Sequence, residues 1–277
     1  MTEPNKLQAA LDSQIAAFPC QTALLACRMN EEGAAFAPAD LLYAHRASER
    51  VVSASTIKLP ILLAALALCD AGKLNIFAPI TLPPADILPD TEVFEAENLR
   101  PAYPLWELLY WMIVESDNTA TNRMIDLLGY GAINDFCARL GLTETLARRK
   151  MLDWAAIDAG KNNYTSARDQ CRLYAALCGH TLLKAESRAM ALDFLCRQRC
   201  MDSGLRYIPQ SVPFAHKTGG LDYLQHDAGV FFAPGRRLFL GIFTWEGPSV
   251  EEDPRQKRYI GKLARTVFDA AYPDCDK

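Results

Sequence analysis

The chain has 277 residues and a formal net charge of −4, and half of its residues are hydrophobic while 22% are charged. These proportions are typical of a globular protein and exclude an intrinsically disordered chain. The length suits one large domain with a sizeable core. Because no dense basic run occurs, the sequence predicts no nucleic-acid partner.

The N-terminal segment, MTEPNKLQAALDSQIAAF, lacks the basic start and apolar core of a signal peptide. The sequence has no run of about 18 uncharged apolar residues, so it predicts no membrane span. The nine cysteines are scattered, and Cys196 and Cys200 have no nearby pair of partner ligands. We therefore expect reduced thiols, no metal site and a cytoplasmic protein, or a periplasmic or secreted one if a leader was removed.

Hydrophobic periodicity predicts the elements in chain order. The first part contains a helix at 5–18, a strand at 21–29, a turn at NEEG (30–33), a strand region at 40–52 and a helix at 55–71. Ser53 or Ser55 is expected to cap the second of these helices. An irregular segment with five prolines, residues 76–103, follows.

The middle of the chain predicts helices, and its end predicts strands. Helical patterns occur at 104–115, 118–128, 131–140, 166–178 and 185–196, with a long loop at 143–165. Strands follow at 212–220, 226–234 and 236–247, with a hairpin turn at Pro234-Gly235, and a helix at 251–271 ends the pattern.

This order of elements predicts an α/β fold. Strands at both termini are expected to form one antiparallel sheet with flanking helices, beside a central all-helical block. The whole chain is predicted to be a single unit, with the α/β part at about 1–54 and 205–277 and the helical part at about 55–204. A cleft is expected between the sheet and the helical block.

A serine and a lysine stand three residues apart at the start of the helix predicted at 55–71. Residues at this spacing share a helix face, so Ser55 and Lys58 project together. A serine hydroxyl is a weak nucleophile until a base takes its proton, and a lysine with a lowered pKa can be that base. Ser-x-x-Lys occurs by chance about once per chain, so the pair alone also fits a capping serine beside a solvated lysine.

Two further tripeptides strengthen the catalytic interpretation. Ser116-Asp117-Asn118 follows the apolar helix predicted at 104–115, and Lys217-Thr218-Gly219 lies in a predicted strand. Read singly, the first is a helix-capping cluster and the second is a strand that enters a turn. Each is expected by chance only roughly a few hundredths of a time per chain, so their joint occurrence indicates a common purpose.

Together the three motifs resemble those of class A β-lactamases and penicillin-binding proteins. Their order and separations, 61 residues and then 101, are similar to those of class A enzymes. The segments NYTSARD (163–169) and HKTGG (216–220) also resemble the wider group of β-lactamase-related serine hydrolases. The resemblance extends from the first strand to the last helix and implies the serine β-lactamase type of fold.

The resemblance also implies catalytic roles. Ser55 would be the acylated nucleophile and Lys58 its base. Ser116 would carry a proton to the leaving nitrogen. Lys217 would stabilise charge near Ser116, attract a substrate carboxylate and lower the pKa of Lys58.

Substrate-binding roles follow in the same way. Asn118 would hold the amide side chain of the substrate, and Thr218 would hydrogen-bond its carboxylate. Gly219 would let the strand approach the nucleophile closely. The backbone N–H groups of Ser55 and Gly220 would form the oxyanion hole. No metal or organic cofactor is implied.

The resemblance breaks in the loop at 143–165. Class A enzymes carry a glutamate there that activates the water which hydrolyses the acyl-enzyme. Counting back without gaps from Ala167 puts Lys150 at that position and Trp154 where an asparagine helps to hold the water. Asp153 is the nearest acid, and it is expected either to act as the base after a gap or to cap the loop.

A second departure concerns the substrate carboxylate. Family members use an arginine on the strand after Lys-Thr-Gly, whereas residues 221–233 contain no arginine. His226 and Asp227 stand there instead. His226 is predicted in the cleft or, more simply, in a surface turn, and Asp227 is predicted as an ion-pair partner of Lys217 or as a catalytic group.

Three interpretations of function are therefore open. The first is a β-lactamase-like serine hydrolase that forms an acyl-enzyme through Ser55 and releases β-lactams slowly. The second is a DD-peptidase, amidase or esterase that acts on another acyl substrate. The third is a β-lactam-binding or sensing domain that does not turn over. A small-molecule β-lactam, a peptide or another acyl compound is the expected partner in each case.

Overall fold

The structure is a computed structural model that describes residues 3–30, 40–233, 236–250 and 254–273. The turn predicted at NEEG, apart from Asn30, lies outside these residues. So do the hairpin turn at Pro234-Gly235 and the first three residues of the helix predicted at 251–271.

Helices and strands occur in nearly the predicted order. The helices are α1 (Glu3–Ala17), α2 (Lys58–Asp70), α3 (Leu105–Val114), α4 (Asn118–Arg139), α5 (Trp154–Asp158), α6 (Ala167–Cys178), α7 (Ala185–Cys196) and α8 (Arg255–Ala271). The strands are β1 (Gln21–Met29), β2 (Leu41–His45), β3 (Val51–Val52), β4 (Pro79–Thr81), β5 (Ala102–Pro104), β6 (Tyr164–Thr165), β7 (Phe214–Leu221), β8 (Leu224–Ala233) and β9 (Arg236–Trp245). Short 3₁₀ turns span Ala54–Ile57, Pro84–Asp86 and Ala96–Asn98.

One five-stranded sheet joins the two ends of the chain. Its order is β2-β1-β9-β8-β7, and every neighbouring pair is antiparallel. β1 pairs with β9 along its whole length, from Gln21 opposite Trp245 to Met29 opposite Arg237. The prediction of an antiparallel sheet built from both termini is therefore confirmed.

The sheet has a core on each of its faces because successive strand side chains point to opposite sides. Ala23 and Leu25 of β1 pack with the helical block, whereas Leu24 and Ala26 pack under α1 and α8. The C-terminal helix α8 buries one apolar stripe and exposes its other side, as expected of a helix that covers a sheet.

Helix α2 is the centre of the helical block. All nine residues from Lys58 to Leu66 are buried, and this fits a helix that is apolar on every side. Helix α4 is kinked at Gly129, whose φ of 74° and ψ of 152° are not helical. The kink matches the interruption between the helical patterns predicted at 118–128 and 131–140. No helix among the described residues is long and apolar enough to cross a membrane.

Two local predictions were wrong. The strand region at 40–52 divides, because β3 leaves the sheet and pairs with β6, with Val51 opposite Thr165. Neither candidate serine caps the next helix. A side-chain cap requires an extended backbone, but the backbone of Ser53 is αR. The Ser53 hydroxyl donates to the Ala54 carbonyl instead. Ser55 lies inside the 3₁₀ turn that precedes α2.

Candidate active site

Ser55 lies at the edge of a cavity of about 810 Å³. The residue before it, Ala54, has a φ of 43°, in the left-handed region. An alanine in this region costs of order 1–3 kcal/mol and persists only where its surroundings hold it. The 3₁₀ turn that carries Ser55 is therefore held by tertiary contacts rather than by local preference.

Strand β7 supplies one of these contacts at Gly219. A Cβ atom at this position would lie 3.0 Å from the Ser53 carbonyl oxygen, 3.0 Å from the Ser55 nitrogen and 3.1 Å from the Thr56 nitrogen. Only glycine allows so close an approach of strand and turn. The next residue, Gly220, lines the same cavity as Ser55, as the expected oxyanion hole requires.

Lys58 is completely buried, and its ammonium group reaches the Ser-Asp-Asn motif. Its Nζ donates to the Ser116 carbonyl at 2.5 Å, to Ser116 Oγ at 3.1 Å and to Asn118 Oδ1 at 2.7 Å. Burial lowers the pKa of Lys58 well below its usual value, and the nearby charge of Lys217 lowers this pKa further. Both effects favour the neutral form of Lys58, which is the form that a proton acceptor needs.

Lys217 is equally buried and approaches Ser116 from the sheet. Its Nζ lies 2.9 Å from Ser116 Oγ and 2.9 Å from the Thr218 carbonyl oxygen. Burial lowers the pKa of Lys217 to about 8. The Ser116 hydroxyl thus connects the two lysine amines, one from the helical block and one from the sheet, and can pass a proton along this path.

The turn that presents Ser116 is held by the next residue. Asp117 caps α4 by accepting from Ala120 N at 2.6 Å, and it also accepts from Thr91 Oγ1 at 2.5 Å. Ser116 itself has a φ of 58°, a second left-handed residue in the site. The Ser-Asp-Asn turn is therefore strained and tied down, as is the Ser55 turn.

The Asn118 amide is hydrogen-bonded at both of its ends. Its Oδ1 accepts from Lys58, and its Nδ2 donates to Asp90 Oδ2 at 2.6 Å. No sequence pattern points to Asp90, because a single aspartate in the irregular segment 76–103 has no motif around it. Only the fold brings it to the edge of the cavity.

A second residue that sequence reasoning missed contacts Thr218. Gln198 Nε2 donates to Thr218 Oγ1 at 2.7 Å, and Gln198 Oε1 accepts from Cys200 N at 2.7 Å. The hydroxyl expected to meet a substrate carboxylate therefore has a neutral amide beside it. Gln198 precedes β7 in a loop without a recognisable pattern, so the sequence offered no signal for it.

Met151 of the loop lines the cavity, whereas Lys150 does not. Asn122 holds the Met151 backbone from both sides, with Met151 N 2.6 Å from Asn122 Oδ1 and Met151 O 3.1 Å from Asn122 Nδ2. Met151 lines the cavity, whereas the Lys150 side chain is 42% exposed and pairs with Asp126 at 2.7 Å. The count without gaps selected Lys150, but the structure brings Met151, and not Lys150, to the cavity that contains Ser55.

Asp153 has the capping role that was one of its two predicted alternatives. Its carboxylate accepts from Ala156 N at 3.0 Å and so begins α5. It does not line the cavity that contains Ser55. Trp154 does line this cavity, and its side chain is 62% exposed although it is large and apolar.

His226 is buried, so its prediction as a surface-turn residue was wrong. It lies opposite Gly219 in the β7–β8 ladder and therefore projects from the sheet face that meets the Ser55 turn. Its Nε2 is 2.8 Å from the Val52 carbonyl oxygen, a contact in which the ring nitrogen donates. Burial lowers the pKa of His226 to about 4. A neutral histidine thus ties β8 to the strand that leads into Ser55.

Asp227 faces the opposite side of the sheet. It accepts from His216 Nδ1 at 2.8 Å and from Gly204 N at 2.9 Å, and both the carboxylate and the imidazole are buried. Among the described residues it makes no ion pair with Lys217, because adjacent strand positions project to different faces. Both predictions for Asp227 therefore differ from its place in the structure, where it anchors the segment before β7.

The remaining cavity wall is mainly apolar. Aromatic and aliphatic side chains from the loop, β8 and β9 face the cavity. They are Met151, Leu152, Trp154, Ile157, Tyr164, Leu221, Tyr223, Leu224 and Trp245. The arrangement offers a nucleophile, two buried lysines and a proton path at one end, and room for a bulky apolar group at the other.

Comparison with known proteins agrees with the resemblance of the three motifs. The model of a family described as the beta-lactamase enzyme family matches residues 7–271. The extended-spectrum beta-lactamase PER-1 of Pseudomonas aeruginosa is 23% identical over 235 residues, which are 79% of this chain and 75% of that protein.

Solved structures extend the comparison over almost the whole chain. PBP-A matches with a TM-score of 0.84 at 26% identity, over 97% of this chain and 96% of that one. A beta-lactamase from Sphaerobacter thermophilus matches with a TM-score of 0.80 at 27% identity, over 96% and 97%. A leucine-to-glutamate mutant of PBP-A, in an acyl-enzyme complex with penicillin G, matches with a TM-score of 0.84 at 26% identity, over 97% of both chains.

Proposed function

We propose a function for this chain, which belongs to the beta-lactamase enzyme family. It is a serine hydrolase that is acylated on Ser55 by β-lactams and releases the acyl group slowly. The observation that carries this proposal is the Ser116 hydroxyl, which lies 3.1 Å from Lys58 Nζ and 2.9 Å from Lys217 Nζ. This geometry supports a base and a proton path beside a serine held in a strained turn.

Acylation begins with attack of Ser55 Oγ on the carbonyl carbon of the substrate. Neutral Lys58 takes the hydroxyl proton, and the N–H groups of Ser55 and Gly220 hold the negative oxygen of the tetrahedral intermediate. When the C–N bond breaks, the Ser116 hydroxyl gives its proton to the leaving nitrogen. Ser116 regains a proton from Lys58, so the protons balance and Ser55 carries the acyl group.

Release of the acyl group needs a water molecule and a base. Met151 lines the same cavity as Ser55, and its thioether is not a base. General-base help is typically worth a factor of about 10²–10⁴. Because Lys58 and the oxyanion hole serve both half-reactions, we expect hydrolysis to be slower by about that factor rather than absent.

The PBP-A mutant gives support from a relative. It carries glutamate in place of leucine and forms an acyl-enzyme complex with penicillin G. By analogy, this chain has an apolar residue, Met151, in the loop beside its own serine, and its three motifs suffice for acylation. The proposal therefore combines efficient acylation with inefficient release.

The test is intact-mass measurement after mixing with benzylpenicillin, followed over time. We expect the mass of one penicillin to be added on Ser55 and to decay slowly, and we expect no addition to Ser55→Ala. Addition to another residue, or undiminished addition to the variant, would overturn the assignment of Ser55. Rapid turnover without an accumulated adduct would keep the hydrolase and overturn slow release.

A second candidate function is a DD-peptidase, amidase or esterase with the same acyl-enzyme chemistry. The likeness to PBP-A and the absence of a carboxylate base from the cavity-facing loop position favour it. Peptides that end in D-Ala-D-Ala and simple esters test this candidate. Faster release of their acyl groups than of a penicilloyl group would identify them as the better substrates.

A further inference from the structure

The carboxylate of Asp90 is hydrogen-bonded to the amide that is expected to hold the substrate. It accepts the Asn118 Nδ2 hydrogen bond at 2.6 Å, and it lines the same cavity as Ser55. In the proposed reaction, Asn118 Nδ2 holds the amide carbonyl of the acyl side chain. Because the Asn118 amide nitrogen has two N–H donors, the carboxylate and that carbonyl are expected to be neighbouring acceptors on one amide group.

We propose, on the basis of the function proposed above, that Asp90 makes this site selective for acyl groups with an ammonium group on the carbon next to their side-chain carbonyl. That carbon is bonded directly to the carbonyl carbon. A cationic substituent on it therefore comes within ion-pair distance of the carboxylate that shares the Asn118 amide with the carbonyl. A substrate of this class satisfies Asn118 with its carbonyl and Asp90 with its ammonium.

A neutral acyl group lacks the second of these contacts. It accepts the second N–H of the Asn118 amide and places no positive charge beside the Asp90 carboxylate. An acyl group with a carboxylate at the same carbon places two negative charges side by side, which is unfavourable. The expected order of acylation is therefore ammonium first, neutral second and carboxylate last.

The other charged groups that face the cavity do not cancel this preference. The Arg50 guanidinium is engaged by Glu144 at 2.9 Å. The Arg149 guanidinium is buried against Asn162 Oδ1 and the Lys150 carbonyl, each at 3.0 Å. Among the described residues, no lysine or arginine nitrogen lies within 4.0 Å of the Asp90 carboxylate.

Two anions line the cavity further along, on the β7–β8 turn and after β9. Asp222 accepts from Ser249 Oγ at 2.5 Å, and Glu246 follows Trp245. They add negative charge and so favour a cation in the cavity as well. Lys58, which shares Asn118 with Asp90, is neutral when it acts as the base, so it does not compensate Asp90 in the reactive state.

The size of the preference follows from the exposure of Asp90. An exposed ion pair changes a free energy by an amount that corresponds to a factor of about 2–5, and an exposed like-charge pair acts by a similar factor in the other direction. We therefore expect the ammonium compound to be acylated about tenfold faster than its carboxylate counterpart.

Three penicillins that differ at one carbon provide the test: benzylpenicillin, its α-amino derivative ampicillin and its α-carboxy derivative carbenicillin. Second-order rate constants of Ser55 acylation are measured at pH 6.5, below the usual α-amino pKa of about 7.7–8.0. We expect a ratio of about ten between ampicillin and carbenicillin, and a ratio below about three in Asp90→Asn. This variant keeps an oxygen that can accept from Asn118 and removes only the charge.

Asp86→Asn is the matched control, because Asp86 is exposed in the same segment but does not line the cavity. It makes the same change in net charge and should leave the ratio at its original value. An ampicillin-to-carbenicillin ratio near or below one in the unaltered protein would overturn the role of Asp90. An equal fall of this ratio in both variants would overturn it as well. So would a ratio that Asp90→Asn leaves unchanged.

Failure of the proposed function has a different signature. If none of the three penicillins acylates Ser55, the acyl-enzyme assignment fails, and the charge preference is then measured without chemistry. Dissociation constants of ampicillin and carbenicillin for Ser55→Ala should differ by the same factor and converge when Asp90→Asn is added. Equal dissociation constants before that change would overturn the preference itself.

Discussion

Lys217 changes its charge within an accessible pH range. Because burial lowers its pKa to about 8, the side chain is cationic below that pH and neutral above it. We expect acylation by substrates that carry a carboxylate on the leaving-group side to weaken as the pH rises through about 8. Acylation by an ester without that carboxylate should not weaken. The two pH profiles, measured side by side, check this, and identical profiles would remove Lys217 from carboxylate binding.

His226 links the nucleophile turn to a pH-dependent stability. Its pKa is about 4 in the folded protein and about 6.5 in an unfolded chain, so the unfolded state binds the proton first as the pH falls. The stabilisation is complete above about pH 6.5 and is lost by about pH 4, and it amounts to about 3 kcal/mol.

Denaturant unfolding of the original protein and His226→Gln at several pH values measures this effect. Glutamine can still donate to the Val52 carbonyl but does not titrate. The difference in free energy of unfolding between the two proteins should shrink by about 3 kcal/mol as the pH falls from 6.5 to 4. A difference that stays constant over this range would show that His226 does not titrate as described.

Met151 and Lys150 form a natural pair for testing release of the acyl group. A carboxylate at 151 enters the cavity, whereas one at 150 replaces a partner of Asp126 on the surface. We expect Met151→Glu to speed release of the penicilloyl group by about 10²-fold or more, and Lys150→Glu to leave the release rate unchanged. The decay of the adduct mass measures both rates. Faster release in Lys150→Glu alone would restore the count without gaps.

At the scale of elements, the close approach of β7 to the Ser55 turn sets the geometry of the nucleophile. In Gly219→Ala, the new methyl group meets only backbone atoms, so the turn must move. We expect acylation to fall about 10- to 100-fold, because small misplacements of reacting groups are costly. In Gly220→Ala, the methyl group meets the end of the Gln225 side chain at 3.0 Å, which can shift more easily. Acylation rates should therefore fall less in Gly220→Ala than in Gly219→Ala.

The sequence predicted most elements because their causes are local. Hydrophobic periodicity and glycine are enough to predict the strands β1 and β7 to β9, and the break near Gly129. The three motifs likewise predicted which residues to look for in the site. The predicted cap at Ser53 was wrong, because a cap depends on backbone angles that tertiary contacts impose.

The rest of the site depends on contacts between distant residues. Asp90 and Gln198 have no local pattern, and each matters only through the residue it contacts, Asn118 or Thr218. His226 looked like a turn residue until the register of β8 placed it opposite Gly219. Lys150 and Met151 are adjacent, so a sequence count cannot tell which of them reaches the cavity. The Asn122 hydrogen bonds to the Met151 backbone fix this part of the loop.

At the scale of the whole molecule, one core spans the sheet and the helical block. Ala23 of β1, Leu62 of α2, Leu109 of α3 and Tyr174 of α6 all belong to it. Since the two parts share these contacts, we expect them to unfold together in one calorimetric transition, with equal calorimetric and van't Hoff enthalpies. Two separated transitions would contradict a shared core and would assign the parts independent stability.

Met151, an apolar loop residue in the lining of the Ser55 cavity, has a consequence for the fate of the proposed acyl group. When water is a poor acceptor, any other nucleophile that reaches the ester can compete with it. Added hydroxylamine, methanol or a D-amino acid should therefore divert a larger share of the acyl group into hydroxamate, methyl ester or amide than it would in a fast hydrolase. On the slow release proposed above, we therefore expect the methionine at position 151 to raise the ratio of acyl transfer to hydrolysis, so that the chain makes bonds as well as breaks them.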